Sequence, residues 1–244
     1  MISLQPNTRF LASVRNVSEA RMSVIAGADL IDCKEPLKGA LGALPLDVVR
    51  AIRESVPADC LVSATVGDLV PDPATVVPAV AAMAATGVGY VKIGFFPGGD
   101  AKATIKALSR GTCTTAQLVG LLLADRDPDF SLIEDMGHAG FAGVMLDTAS
   151  KSAGALPDVL SRAKLTSFIE TAHGAGLFAG LAGSLRLNHV EPLLALKPDL
   201  LGFRGALCRA GERCGDLDRD ALHAIREVIP VAVNAPGLKQ KVLS

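Results

Sequence analysis

Tryptophan is absent, tyrosine occurs once, and aromatic residues make up only 4% of the 244 residues, although half of the chain is hydrophobic. An apolar interior must therefore come from Ala, Val, Leu and Ile, the palette of parallel sheets covered by helices. No charge sign dominates: 24 Lys and Arg stand against 25 Asp and Glu, for a net charge of −1. Nothing here resembles the clustered Lys and Arg and basic pI of a nucleic-acid binder, although acidic ligands could still be held locally. No apolar run reaches the ~18 uninterrupted residues of a membrane span, and the stretch AVAAMAATGVGYV is short and contains two Gly. The short apolar run between Arg9 and Arg15 lacks the length of a signal-peptide core. Cysteines number five, an odd count with no C-x-x-C pair, so reduced thiols in a cytoplasm are expected rather than a disulfide framework. No G-x-G-x-x-G follows the first apolar run, which argues against an open dinucleotide-binding sheet.

What is present is a regular alternation. Eight short apolar runs, at 9–14, 29–33, 61–66, 89–94, 117–124, 142–147, 177–183 and 200–205, each precede a helical pattern. The joints from helix back to strand repeat one phrase: IAGADLI, ATGVGYV, HAGFAGV and HGAGLFA. Each puts Gly just past a helix end, where a left-handed cap is wanted. Eight strand–helix units with short returns predict an α/β fold, a single-domain TIM (β/α)8 barrel over residues 1–230, with 231–244 as a C-terminal tail.

A barrel of this type carries its site at the C-terminal ends of the strands. Strand two ends in Asp32 and Lys34, which share a face because side chains alternate along a strand. Strand three leads to Ser63, Thr65 and Gly67-Asp68, strand four carries Lys92, and strand six ends in Asp147 with Lys151 soon after. Burying an ammonium in an apolar strand is costly. Burial and a second cation both favour the neutral amine that a Schiff base requires. One such lysine reads more readily as solvent-reaching or structurally paired. Two lysines and two aspartates, all at strand ends, favour catalysis, with the carboxylates positioning the amines and moving protons.

After strands seven and eight come LAGSL and FRGAL, where barrels of this type frequently bind phosphate on backbone N–H groups. Gly183, Ser184, Arg204 and Gly205 are the expected donors, against a plain reading as turn residues. His138, His173, His189 and His223 have no partner at metal spacing, so they are expected at the surface and no metal is expected. Cys33 alternates away from Asp32 and should pack outside the barrel wall, Cys208 and Cys214 read as loop residues beside Arg209 and Arg213, and LADRDPD reads as a solvated loop.

Taken in order, DLIDCKEPLKGALGA, LVSATVGD, YVKIG, MLDTASKSAG, LAGSL and GFRGALC resemble the (5-formylfuran-3-yl)methyl phosphate synthases, also called 4-(hydroxymethyl)-2-furancarboxaldehyde-phosphate synthases, from about residue 10 to residue 230. The resemblance implies a TIM barrel that joins two glyceraldehyde 3-phosphate molecules into a phosphorylated furan aldehyde, an early precursor of methanofuran in one-carbon metabolism. Atom balance requires loss of one phosphoric acid and two waters, so no redox cofactor is needed. It further implies that Lys34 forms the Schiff base, that Lys92 accepts a proton, and that Asp32, Asp147 and Lys151 are the other functional polar positions. One segment departs from the family pattern. A longer stretch containing Gly, Ala and Tyr is expected after strand five, where this chain reads GLLLADRDPDF. A class I aldolase-like lyase on other phosphorylated aldehydes, and a non-catalytic phosphate-binding barrel, fit the same residues less fully. The partner implied is a small triose phosphate, with no nucleic acid and no membrane; a homo-oligomer is compatible with the sequence, which does not fix the oligomeric state.

Overall fold

The computed structural model describes residues 8–109, 116–150 and 153–231. Lys151, Cys113 and all of the expected tail after Val231 lie outside the described residues. Eight parallel strands close on themselves in chain order: β1 (Arg9–Val14), β2 (Leu30–Cys33), β3 (Leu61–Thr65), β4 (Tyr90–Phe95), β5 (Gln117–Leu123), β6 (Gly143–Asp147), β7 (Phe178–Leu181) and β8 (Leu200–Phe203). Each lies within two residues of the bounds expected from the apolar runs.

The helices follow as α1 (Val17–Ile25), α2 (Leu46–Ser55), α3 (Pro73–Ala84), α4 (Ala101–Ala107), α5 (Leu132–Ala139), α6 (Leu156–Val159), α7 (Arg162–Gly174), α8 (Val190–Leu194) and α9 (Arg219–Val228). Asn16, Asp72, Asp100, Ser161 and Asp218 cap five of them by accepting a backbone N–H three residues on. Gly27, Gly87, Gly140 and Gly176, at the four repeated joints, all have positive φ. None of the described helices is long and apolar enough to cross a membrane.

Two apolar layers follow from the strand alternation. Outward residues such as Phe10, Ile31, Cys33, Val62, Val91 and Val144 pack under the helices. Inward residues Leu11, Leu30, Tyr90, Val119, Leu121, Met145, Phe178 and Leu200 fill the barrel floor. Large and small residues interlock there: a Cβ on Gly180 would run into Met145, and one on Gly143 into the Phe178 ring. Above this floor, toward the C-terminal mouth, inward positions on β1 to β4 and β6 are polar: Ser13, Asp32, Ser63, Lys92 and Asp147.

Candidate active site

Registers set the site. Ser13, Asp32 and Ser63 stand side by side on β1, β2 and β3. Lys92 pairs with Thr65, two residues further along than Ser63, and its side chain reaches back to Asp32. Its Nζ donates to Asp32 Oδ2 at 2.9 Å. Ser13 Oγ donates to the same oxygen at 3.0 Å, and Ser63 Oγ to Oδ1 at 2.6 Å. Asp32 is fully buried and Lys92 is 3% exposed. Burial by itself pushes the Asp32 carboxyl up. The Lys92 and Lys34 ammonium groups, with the hydrogen bonds from Lys92 and Ser63, outweigh it and hold the group below the ordinary carboxylate range. It stays ionised.

Lys34 is the first residue past β2, and its N–H continues the ladder to Val14 O at 3.0 Å. Alternation from Asp32 sends its side chain inward, where Nζ donates to Asp147 Oδ2 at 3.0 Å. Asp147 Oδ1 is fixed in turn by the N–H of Thr148 at 2.8 Å. Directly after Lys34 the chain makes a tight loop. Glu35 N–H donates to Gly42 O, and the Glu35 carboxylate accepts from Leu37 N–H, opening a 3-10 turn at Pro36–Lys38. A Cβ on Gly42 would collide with Glu35 O, so only glycine permits this approach. Asp68, in the loop after β3, clasps the N–H groups of Ala40 and Leu41, and Leu41 is driven to zero exposure against the barrel's inner layer. The loop that presents Lys34 is thus anchored at both ends.

Asp32, Lys34, Lys92 and Asp147 line one cavity of about 620 Å³, together with Gly183, Ser184, Arg204 and Gly205. Gly183 has φ +107 and an added Cβ would strike Thr148 N. No described residue accepts from the N–H of Gly183, Ser184 or Gly205, which leaves these donors free at the ends of β7 and β8.

Arg204 departs from the sequence expectation. Its Nε donates to Arg213 O, its Nη1 to Ser13 O and Glu19 Oε2, and its Nη2 to Glu19 Oε1 and Gly215 O, at 2.5 to 3.2 Å. All five guanidinium N–H groups are spent, so the side chain has no donor left for a phosphate. It ties α1 to the loop after β8 instead. Arg186, which sequence reasoning passed over, lines the cavity with one guanidinium bond, Nη2 to Gly211 O at 3.2 Å. Ser13 was missed as well, although the alternation in RFLASV places it inward beside Leu11. Three milder differences concern loops. His189 is half-buried and lines the cavity, Cys214 lines it too, and Asp125 of LADRDPD accepts the N–H groups of Ala149 and Ser150 rather than facing solvent alone. Cys33 packs in the outer layer as expected, and burial pushes its thiol pKa far up.

A family model described as 4-HFC-P synthase matches residues 10–226. The chain belongs to that family. A (5-formylfuran-3-yl)methyl phosphate synthase from Methanopyrus kandleri is 40% identical over 217 residues, covering 84% of this chain and 91% of that protein. The synthase of the same name from Methanothermobacter thermautotrophicus is 34% identical over 230 residues, covering 90% of this chain and 98% of its own length. Among solved structures, a 3-hexulose-6-phosphate synthase superposes with a TM-score of 0.66 at 14% identity, over 91% of this chain and all of that one, a likeness of fold alone. Within the matched span, the stretches DCKEP and YVKIG bring Lys34 and Lys92 to the mouth just described.

Proposed function

We propose that the protein condenses two glyceraldehyde 3-phosphate molecules into (5-formylfuran-3-yl)methyl phosphate, releasing one phosphate and two waters, in the biosynthesis of methanofuran or an analogue. The observation that carries this reading is the pair of lysines in one cavity, each held by a single carboxylate among the described residues. Binders of phosphate gain nothing from lysine over arginine at such positions. Amine chemistry does.

In this reading Lys34 Nζ passes a proton to Asp147, 3.0 Å away, and adds to the aldehyde of one triose phosphate. Loss of water gives an iminium, which acidifies the adjacent C–H. The neutral form of Lys92, favoured by the cation at Lys34 close by, takes that proton and becomes the ammonium that Asp32 holds in place. The resulting enamine expels phosphate or attacks the aldehyde of the second molecule, dehydration completes the ring, and water hydrolyses the imine to release the aldehyde and free Lys34. The phosphate of the retained half rests on the N–H groups of Gly183, Ser184 and Gly205, with Arg186 as the nearby cation in place of Arg204. Lys151 joins the functional set on the family resemblance. No step requires a redox cofactor, and free thiols such as Cys33 and Cys208 fit a reducing cytoplasm.

The test is borohydride trapping with glyceraldehyde 3-phosphate, followed by mass spectrometry and product analysis. A triose phosphate adduct on Lys34, a furan absorbance and one phosphate per two trioses are expected. A hexose phosphate product would point to an aldolase instead, and the absence of any lysine adduct would sink the Schiff-base route.

A further inference from the structure

Beside the cavity that holds the lysines lies a second, of about 580 Å³, walled by Gly39, Asp68, Phe96, Arg126, Ala149 and Arg213. Pro36 and Arg213 border both. In the closed order, β3 and β4 stand across the barrel from β7 and β8. The second cavity is built from the loops after β2 to β6 and the tip of the loop after β8. It therefore opens over the ends of β2 to β6, while Gly183 and Ser184 stand at the end of β7, and Pro36 and Arg213 form the wall shared by the two cavities.

Two cations face it with donors to spare. Arg213 commits Nη2 to Pro36 O at 3.0 Å and Gly39 O at 2.6 Å, which fixes the side chain over the loop that presents Lys34. Its Nε and Nη1 meet no acceptor among the described residues. The guanidinium of Arg126 likewise has no acceptor and no carboxylate among them. Asp68, the one acid among the described residues of the wall, is turned onto the neighbouring loop after β2, with both oxygens accepting from Ala40 and Leu41.

We propose that this cavity seats the phosphoryl group of the second triose phosphate, with Arg213 and Arg126 as its cationic ligands. The inference rests on the two-triose reading above and says where the second substrate binds. Each triose carries a phosphate at the end remote from its aldehyde. Two such dianions repel one another while their aldehyde ends must meet. Anchoring them in two neighbouring cavities separates the charges and lets both reacting ends meet at Lys34 and Lys92. Guanidinium groups suit the task because they stay charged and match phosphate oxygens.

The decisive variant is Arg126→Ala, an exposed position whose loss leaves the barrel intact. The borohydride adduct on Lys34 should form at the wild-type half-saturating concentration. The glyceraldehyde 3-phosphate concentration for half-maximal furan formation should rise ~10–100-fold. Calorimetric titration with inorganic phosphate should count two equivalents on the wild type and one on the variant. Furan kinetics within about twofold of wild type, or adduct and furan weakened in parallel, would overturn the assignment. If the wild type yields neither adduct nor furan, the synthase reading itself falls, and a single phosphate equivalent on the wild type would then overturn the site as well.

Discussion

Arg204 and Lys34 each follow a barrel strand, each is 9% exposed, and each faces a buried carboxylate. They differ in what is left over. Arg204 has spent all five N–H groups on Glu19 and three backbone carbonyls. Lys34 has one carboxylate contact, and two N–H groups of its ammonium remain uncommitted among the described residues. The first is a knot that holds α1 and the loop after β8 to the strand ends. The second is a group held in position yet able to change partners. Burial of a charge does not by itself separate the two; the number of donors left uncommitted among the described residues does.

The sharpest way to break this contrast is Lys34→Arg. Arginine keeps the positive charge but does not deprotonate to a nucleophile. Adduct and product should both vanish, a loss of at least ~10³-fold, with an unfolding midpoint close to wild type. Substantial turnover in that variant would move Lys34 out of its role. The opposite signature is expected at the knot. Glu19→Ala leaves the Arg204 guanidinium buried without its carboxylate, and denaturant unfolding should register a loss of ~3–5 kcal/mol, while any protein that remains folded still traps triose phosphate on Lys34. Asp147→Asn keeps the shape of the Lys34 contact but removes the proton acceptor, so kcat should fall ~10²–10³-fold with KM changed less. Equal effects on both parameters would make Asp147 a binding group.

The smallest effect is expected from the two serines around Asp32. Ser63→Ala removes one hydrogen bond to the carboxylate, worth ~1–3 kcal/mol in a buried setting. In the folded protein Asp32 titrates below its ordinary value near 3.8. Its contribution to stability is thus complete above that pH and is lost as pH falls toward the depressed value. Ser63→Ala moves the folded value upward, so acid unfolding of the variant should begin at higher pH than in wild type. Unchanged acid transitions would show that Ser63 merely fills space.

Much of this was legible from the residues alone. The eight strands could be read because apolar runs bounded by capping residues and positive-φ glycines leave few alternatives. The shared face of Asp32 and Lys34 and the outward placement of Cys33 followed from period-two alternation, and the places of Lys92 and Asp147 from the strands that carry them. Ser13 obeyed the same rule and was overlooked because a small hydroxyl in an apolar run carries no chemical signal. Arg204 was misread for a different reason. Its strand-end position was right, but its carboxylate partner sits 185 residues away in α1, and nothing local announces the pairing.

The chain's order of apolar and polar residues determined the barrel and which side chains face its axis, because strand alternation and helix capping act within a few residues of one another. Only the closed tertiary structure decided which charges meet. Lys34 finds Asp147 across 113 residues and Lys92 finds Asp32 across 60, and those distances are set by closure of the barrel. That same closure consumed Arg204, left the Arg126 guanidinium and the Nε and Nη1 of Arg213 without an acceptor among the described residues, and placed two cavities side by side at one mouth.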